Sequence, residues 1–279
     1  MNDRMANQSF QPARSKGRPL AVAMWLVPVA AVAAGARGWL PPLASEHGAG
    51  IDSMLHYLLI AAGVLLIVGH TALGYILWRF GGQPRVTYRM ATPKQERTWS
   101  LIPIILMTLI AEGGVFVIGL PVWAKFYDTL PPSNAVTVEI TAEQFAWNIR
   151  YAGKDGVFGR TSPNLLSLDN PLGLDANDPS ARDDILLVGL LYLPVNRPAQ
   201  IRLRSKDVLH SFFLPFQRVK QDVVPGMTIP VWFVPTQEGD YEIACAELCG
   251  FGYYQMRGLL RVVSEEEFER QLAELPTFQ

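Results

Sequence analysis

The chain has 279 residues, which suggests about two folding units. Its 24 basic and 25 acidic residues leave a net charge of -1, so no strong field favours a nucleic-acid partner. Charged residues make up 18% of the chain, below the roughly 25% of ordinary soluble domains, and apolar residues reach 49%. Disordered, collagen-like and disulfide-rich classes are excluded, the last because two cysteines could form only one bridge.

Three long apolar runs occupy the N-terminal part of the chain, at residues 19–36, 58–78 and 101–122. Each approaches the roughly 20 residues that a helix needs to cross a bilayer. The second and third runs predict a transmembrane hairpin within residues 52–126. The first run, within residues 1–37, follows several basic residues, which is typical of a retained transmembrane helix and also of a secretory signal sequence. Both interpretations stay open.

The distribution of basic residues predicts how these spans are oriented, because lysine and arginine favour short cytoplasmic loops. The link at residues 38–51 contains neither. The link after the second run is basic, with Arg79, Arg85, Arg89, Lys94 and Arg97. This second link and the N-terminus are therefore predicted inside, and the chain after about Ala124 is predicted outside the membrane.

From residue 133 onward the helical pattern gives way to short runs of β-branched and aromatic residues between Pro, Gly and Asp. Closely spaced strands without a long amphipathic helix predict an external β-sandwich or barrel at residues 133–263. The predicted fold class is thus membrane-anchored α plus all-β. Strands are predicted at residues 136–141, 145–151, 200–203, 229–234 and 258–263.

Two segments of the external part are predicted to lie outside the sheets. Residues 159–185 are rich in Pro, Asn, Asp and Gly and predict a long surface loop. In residues 264–279, Ser264 and Glu267 have the spacing of a capping box, which predicts a short C-terminal helix followed by a tail.

The two cysteines lie close together in the segment CAELCGFGYYQM, which also contains Met256. His210 comes from a separate segment, 35 residues before Cys245. Thiolate, imidazole and thioether groups are soft or borderline ligands, and the combination favours copper. Zinc usually takes four Cys or His ligands, and this set offers three. A copper site is predicted, and a disulfide between Cys245 and Cys249, or two buried thiols, is the alternative.

Four segments of the chain form a distinctive set: the membrane hairpin, QFAW, RSKDVLHSFFLPFQRVKQDVVPGM and CAELCG. Together they resemble subunit II of the haem-copper oxidases. The resemblance implies a cupredoxin domain with the dinuclear copper centre CuA. It also implies the catalytic subunit I and other oxidase subunits as partners, and cytochrome c as donor. The location implied is the bacterial inner membrane, in contact with lipid, with the C-terminal domain on the periplasmic side.

The resemblance also implies a role for each residue of the predicted copper site. Cys245 and Cys249 would bridge the two copper ions, and His210 would bind one of them. Met256 and the backbone carbonyl of Glu247 would be weak axial ligands.

The chain departs from the family pattern at two positions. The second copper-binding histidine of the family corresponds to Tyr253, whose phenol, with an ordinary pKa of about 10, is a poor replacement for imidazole. Phe145 takes the place of the exposed tryptophan that receives an electron from cytochrome c, although Trp147 remains two residues on. Both changes concern the passage of electrons, so an altered donor or a degenerate copper centre is implied. As alternatives for Tyr253, a packed ring and a copper ligand are both open.

Further polar residues have two interpretations each. By resemblance, Asp222 and the Glu247 carboxylate lie at the interface with subunit I and near a magnesium ion, and Glu96 lies at the mouth of a proton channel. A turn residue and a solvated acid at a helix start are the alternatives. Glu112 lies within a predicted span, where an acid costs about 2.5–3.5 kcal/mol, so it is expected to contact protein or water. A contact with the catalytic subunit and a proton relay are both open for it and for His70.

The predicted function is an electron-transfer subunit of a respiratory haem-copper oxidoreductase. It would pass electrons from cytochrome c through copper to the haem of the catalytic subunit and have no oxygen-reducing site of its own. The first alternative is a structural subunit with a degenerate or absent copper centre in a quinol-fed oxidase or a nitric oxide reductase complex. A free-standing copper-storage or copper-delivery protein is a third class, and it would not need the membrane hairpin.

Overall fold

The computed structural model describes residues 17–81 and 90–278. Residues 1–16, with their basic side chains, and Arg85 and Arg89 of the basic link lie outside the described residues. The orientation across the membrane and the alternative of a cleaved N-terminal segment therefore stay predictions.

Three helices are long and apolar enough to cross a membrane, as the sequence predicts. Helix α1 is Gly17–Gly35, and helix α2 is Gly48–Phe80. The third candidate span, Pro93–Tyr127, consists of α3 (Pro93–Met107), two π-helical turns and α4 (Leu120–Tyr127).

Both helices of the predicted hairpin begin where a side chain satisfies a free backbone N–H group. Ser45 Oγ accepts a hydrogen bond of 3.0 Å from Gly48 N, so α2 begins ahead of the predicted boundary of the hairpin. Helix α3 begins with a capping box in which the side chains of Thr92 and Gln95 each accept a hydrogen bond from the other's backbone N–H. Glu96 lies in the first turn of α3, where the helix dipole favours an acid.

The external part forms two five-stranded sheets. Their strands are β1 (Val136–Glu143), β2 (Ala146–Tyr151), β3 (Ile185–Val188), β4 (Leu190–Pro194), β5 (Ala199–Ser205), β6 (His210–Leu214), β7 (Val219–Val223), β8 (Ile229–Phe233), β9 (Gly239–Cys245) and β10 (Arg257–Val263). The sheet orders are β3-β2-β1-β5-β8 and β4-β10-β9-β6-β7. Ladders β1–β5 and β4–β10 are parallel.

One apolar core joins the two sheets. Ile140 and Trp147 contribute to it from the first sheet, and Phe212 and Leu260 from the second, all at 0% exposure. Such continuous burial from both sides is typical of a β-sandwich. The structure confirms the predicted β domain, and the five predicted strands correspond to β1, β2, β5, β8 and β10.

The segment at residues 159–185, predicted as a surface loop, is partly packed against the domain. Leu174 and Ala181 are buried, and they form a small apolar cluster of their own with Leu172. Asp184 is fully buried, and a hydrogen bond of 3.0 Å from Arg150 Nε on β2 to its carboxylate compensates for the loss of water. The segment is irregular in backbone but belongs to the folded domain.

The C-terminal helix α5 (Glu265–Glu274) confirms the predicted capping residue. Ser264 Oγ accepts a hydrogen bond of 3.2 Å from Glu267 N. Phe268 on this helix is buried, and its ring lies 6.3 Å from that of Tyr151, so the helix packs on the sandwich.

The chain divides into two compact units. In the helical unit, Trp25 of α1 packs against Trp78 of α2 with ring centroids 5.7 Å apart. The other unit contains residues 40–53 together with residues 118–279. The external domain is thus larger than the predicted range, because the segment before α2 packs on the sandwich.

His47 is the most deeply buried titratable group of that segment. It is 2% exposed and lies between the rings of Trp232, at 4.2 Å, and Phe126, at 5.2 Å. Neither ring nitrogen has a hydrogen-bond partner among the described residues. Burial, together with the charge of Lys125, lowers the pKa of His47 to about 4.

A lowered pKa predicts that acid destabilises this packing. The folded state resists protonation of His47, so its contribution to stability is complete above the ordinary pKa of 6.5 and is lost as the pH falls toward 4. We expect His47→Phe to remove about 1–3 kcal/mol of the pH dependence of unfolding over this interval. Denaturant titrations of the full chain at several pH values measure the effect. His56→Phe is the control, and an equal flattening in that variant would contradict the assignment to His47.

Candidate metal centre

The predicted copper ligands come together at one end of the second sheet. His210 is the first residue of β6, and Cys245 is the last residue of β9. The two strands pair in antiparallel register, with Phe212 opposite Cys245, so their ends meet. Cys249 lies in the loop that follows β9, and Met256 directly precedes β10.

The potential ligand atoms lie close together. One nitrogen of His210 and the sulfurs of Cys245 and Cys249 lie within 4.8 Å of one another. The two sulfurs are 3.7 Å apart, and Met256 Sδ is 3.9 Å from Cys249 Sγ. Among the described residues, this is the one cluster of three or more His, Cys, Asp or Glu side chains with metal-binding geometry. His210, Cys249 and Met256 are buried, which keeps water away from most of the site.

The orientation of the His210 ring leaves one nitrogen free to bind a metal. Its Nε2 lies 2.8 Å from the Asp207 carboxylate, which can only accept, so the proton is assigned to Nε2. Nδ1 is then unprotonated, and it is buried with no hydrogen-bond partner within the described chain. A buried nitrogen lone pair without a donor is costly unless a metal occupies it.

Asp207 and Gln144 connect the histidine to the cysteine loop. Asp207 also accepts a hydrogen bond of 2.7 Å from Gln144 N, and the Gln144 side chain donates one of 2.7 Å to the Cys249 carbonyl. Burial opposes the ionisation of Asp207, but hydrogen bonds from His210, Gln144 and Val208 outweigh it and lower the pKa of the carboxyl. The roles of both residues escape prediction from the sequence, although an acid three residues before a metal-binding histidine is a recognisable signal.

The cysteines are free thiols in this structure. Their sulfur separation of 3.7 Å is far beyond the roughly 2.05 Å of a disulfide bond. Burial raises the pKa of Cys249 to about 11, and the neighbouring Cys245 thiol adds to the shift. Without a metal, Cys249 is therefore protonated at neutral pH, and metal binding releases its proton.

Glu247 and Tyr253 lie beside this group. The Glu247 carbonyl oxygen is 3.4 Å from Cys245 Sγ, while its carboxylate accepts a hydrogen bond of 3.1 Å from Leu248 N. Tyr253 is 42% exposed, and its ring packs edge-on against Tyr254 with centroids 6.0 Å apart. The carbonyl and the carboxylate of Glu247 are thus available to different groups.

Phe145 and Trp147, the residues predicted to accept electrons, occupy different environments. Phe145 is 40% exposed, and its ring covers the backbone of Gly250 and Gly252 in the cysteine loop. A Cβ atom on Gly252 would meet that ring at 2.8 Å, so glycine is required for this close approach. Trp147 is fully buried, with its ring 5.5 Å from Phe212, so a protein donor at the surface could touch only Phe145 of the two.

The other predicted site residues are not members of the group that His210, Cys245 and Cys249 form. Asp222 is exposed on β7 and accepts a hydrogen bond of 2.8 Å from Ser211, which, together with Lys220, lowers its pKa. Glu112 is exposed in the π-helical turn Thr108–Glu112. His70 Nδ1 lies 2.9 Å from its own helix at Leu66 O.

Comparisons with known proteins identify the family. Residues 136–263 match the family described as cytochrome c oxidase subunit II, periplasmic domain. The alternative cytochrome c oxidase subunit 2 of Bradyrhizobium diazoefficiens is 34% identical over 243 residues, which are 86% of this chain and 85% of that protein. The chain belongs to the cytochrome c oxidase subunit II family.

Other members of the cytochrome c oxidase subunit II family are more distant. Cytochrome c oxidase subunit 2 of Cereibacter sphaeroides is 28% identical over 244 residues, covering 81% of this chain and 76% of that protein. The crystal structure of the periplasmic domain of subunit II of the Bradyrhizobium japonicum oxidase is 25% identical, with a TM-score of 0.37, and covers 52% of this chain and 96% of that one. The chain itself is a membrane protein with an external β domain.

The donors fit copper, the metal with which the subunit II family is associated. A neutral imidazole nitrogen, two thiol sulfurs and a thioether are the soft set that copper prefers. The unpartnered Nδ1 of His210 is the observation from this structure that supports a bound metal.

We expect Asp207→Ala to lower copper affinity by about 10–100-fold, because the His210 ring loses the group that fixes its proton on Nε2. Competition with a copper(I) chelator on the full chain measures the affinity. Asp240→Ala is the matched control, since Asp240 is an exposed carboxylate that pairs with Arg261 at 2.7 Å. Unchanged affinity in Asp207→Ala would contradict the role of Asp207.

Proposed function

We propose that this chain is the electron-transfer subunit of a bacterial haem-copper oxidase. Reduced cytochrome c docks at the external domain near Phe145, and electrons would pass through a copper centre in this domain to the haem of the catalytic subunit I. The chain contributes no oxygen-reducing site. The convergence of His210 with two thiols and a thioether, all in the external domain, is the observation that carries this proposal.

Each residue of the site has a defined task in this proposal. Copper supplies a centre that can be reversibly oxidised and reduced. His210, Cys245, Cys249 and Met256 hold it at the ends of paired strands, so the ligands move little when the charge changes. Phe145 covers the backbone of Gly250 and Gly252 in the cysteine loop.

The remaining predicted roles follow from membership in a complex. Glu247 and Asp222 face subunit I and hold a magnesium ion at the interface. Their proximity is supported by the hydrogen bond from Ala246 N to Ser211 O, because Ser211 also donates to Asp222. Glu96 at the start of α3 lies at the mouth of a proton channel. The membrane is the bacterial inner membrane, with the β domain on the periplasmic side.

One observation favours a second candidate function. Tyr253 stands at the position of a family copper ligand, which suits a structural subunit whose copper centre has been lost and whose complex accepts electrons from quinol. A subunit that had lost its copper centre would not need a buried imidazole beside two thiols. The retention of four donors in one cluster therefore ranks the copper-bound function first.

The two functions predict different effects of Cys249→Ser in the intact complex. In the copper-bound function this variant would lose most of the oxidation of reduced cytochrome c, because one thiolate of the site is removed. Steady-state oxygen consumption with cytochrome c as donor measures the loss, and the haem spectrum verifies assembly. Tyr254→Phe, in the same loop, is the control. Full turnover in an assembled Cys249→Ser complex would favour the structural subunit.

Phe145→Ala should weaken the contact with the donor protein. Aromatic anchors at protein interfaces contribute about 2 kcal/mol or more, so we expect the KM for cytochrome c to rise by about tenfold or more. Val188→Ala, which removes an exposed side chain from β3, is the control. An unchanged KM in Phe145→Ala would place the docking surface elsewhere on the domain.

A further inference from the structure

The supply of imidazole groups limits how many copper ions this chain can bind strongly. The sequence contains four histidines, and three of them, His47, His56 and His70, lie before or within α2. His210 is the one histidine of residues 118–279. His47 belongs to the same unit, but it is buried between the rings of Trp232 and Phe126. A second copper ion beside the two thiols would therefore have no further imidazole from residues 118–279.

The donors on one side of the thiol pair are sufficient for one copper ion. One nitrogen of His210 and the sulfurs of Cys245 and Cys249 lie within 4.8 Å of one another, and Met256 Sδ adds a fourth donor 3.9 Å from Cys249 Sγ. One nitrogen, two thiolates and a thioether are four soft or borderline donors, which is enough to hold one copper ion. These donors are mostly buried, so the set is organised before metal binds.

The donors on the other side are poor. The Glu247 carbonyl oxygen lies 3.4 Å from Cys245 Sγ and is already accepting a hydrogen bond of 2.9 Å from Cys249 N. The side chain of Tyr253 is 42% exposed and packs on Tyr254. A partly solvated phenol oxygen is a poor replacement for the imidazole nitrogen that copper prefers.

We infer that this chain binds one copper ion, through His210, Cys245, Cys249 and Met256, and that Tyr253 is the residue that prevents a second ion from binding. The inference rests on the proposed copper function and fixes the number of ions in that site. The centre is then mononuclear, unlike the dinuclear CuA centre that the family resemblance implies. In the oxidised state, the unpaired electron of such a centre would be associated with a single copper nucleus.

The experiment counts copper in the purified full chain, loaded with copper and washed with a chelator. Elemental analysis gives copper per chain, and low-temperature EPR shows how many nuclei share the unpaired electron. We expect one copper per chain and hyperfine splitting from a single nucleus. Tyr253→His should raise the ratio to two and give splitting from two equivalent nuclei. Tyr254→His, one position along on a more exposed ring, should stay at one.

Each other outcome has a distinct meaning. Two coppers sharing an electron in the unmodified chain would overturn the inference while leaving the proposed function intact, and their loss in Tyr253→Phe would identify the phenol as a ligand. A Tyr253→His chain that stays at one copper would overturn the role of Tyr253. No tightly bound copper in any of these chains would overturn the proposed function itself. A gain of metal in Tyr253→His cannot arise from unfolding.

Discussion

The hydrogen bond between Asp207 and His210 decides the chemistry of this site. The carboxylate lies 2.8 Å from Nε2 and so leaves Nδ1, which is buried without a hydrogen-bond partner among the described residues, as the nitrogen that can bind a metal. The same carboxylate accepts a hydrogen bond from the backbone of Gln144, whose side chain holds the Cys249 carbonyl. A chain of three hydrogen bonds therefore ties the histidine segment to the cysteine loop, and the ligands approach one another before a metal arrives.

The β scaffold makes this arrangement durable. His210 and Cys245 terminate adjacent strands of one sheet, so their separation is fixed by the ladder between β6 and β9. Phe212 beside them is fully buried against Trp147. Because movement of either ligand would disturb a close-packed core, electron transfer through a copper ion held here would need little rearrangement. The exposed face of the site carries Phe145, where a donor protein can reach it.

The sequence predicts the architecture and the ligands better than it predicts their surroundings. Three apolar runs and the Ser264 capping residue suffice for the helices, since length and local spacing decide them. Strands such as Leu190–Pro194 escape prediction because a continuous apolar run lacks the alternation of a half-buried strand. Trp147 and Asp207 show the main limit. Whether a ring is buried, or a carboxylate meets an imidazole, depends on tertiary contacts that spacing along the chain does not reveal.

The central claim is that electrons from the donor pass through copper held by His210 and the two cysteines. Rapid mixing of the oxidised intact complex with reduced cytochrome c, without oxygen, tests it most directly. The optical and EPR signals of this copper and the haem absorbance are followed together. The account predicts that the copper signal is reduced first and that haem reduction follows as the copper is reoxidised. Haem reduction while the copper signal stays unchanged, or with no copper signal present, would contradict it.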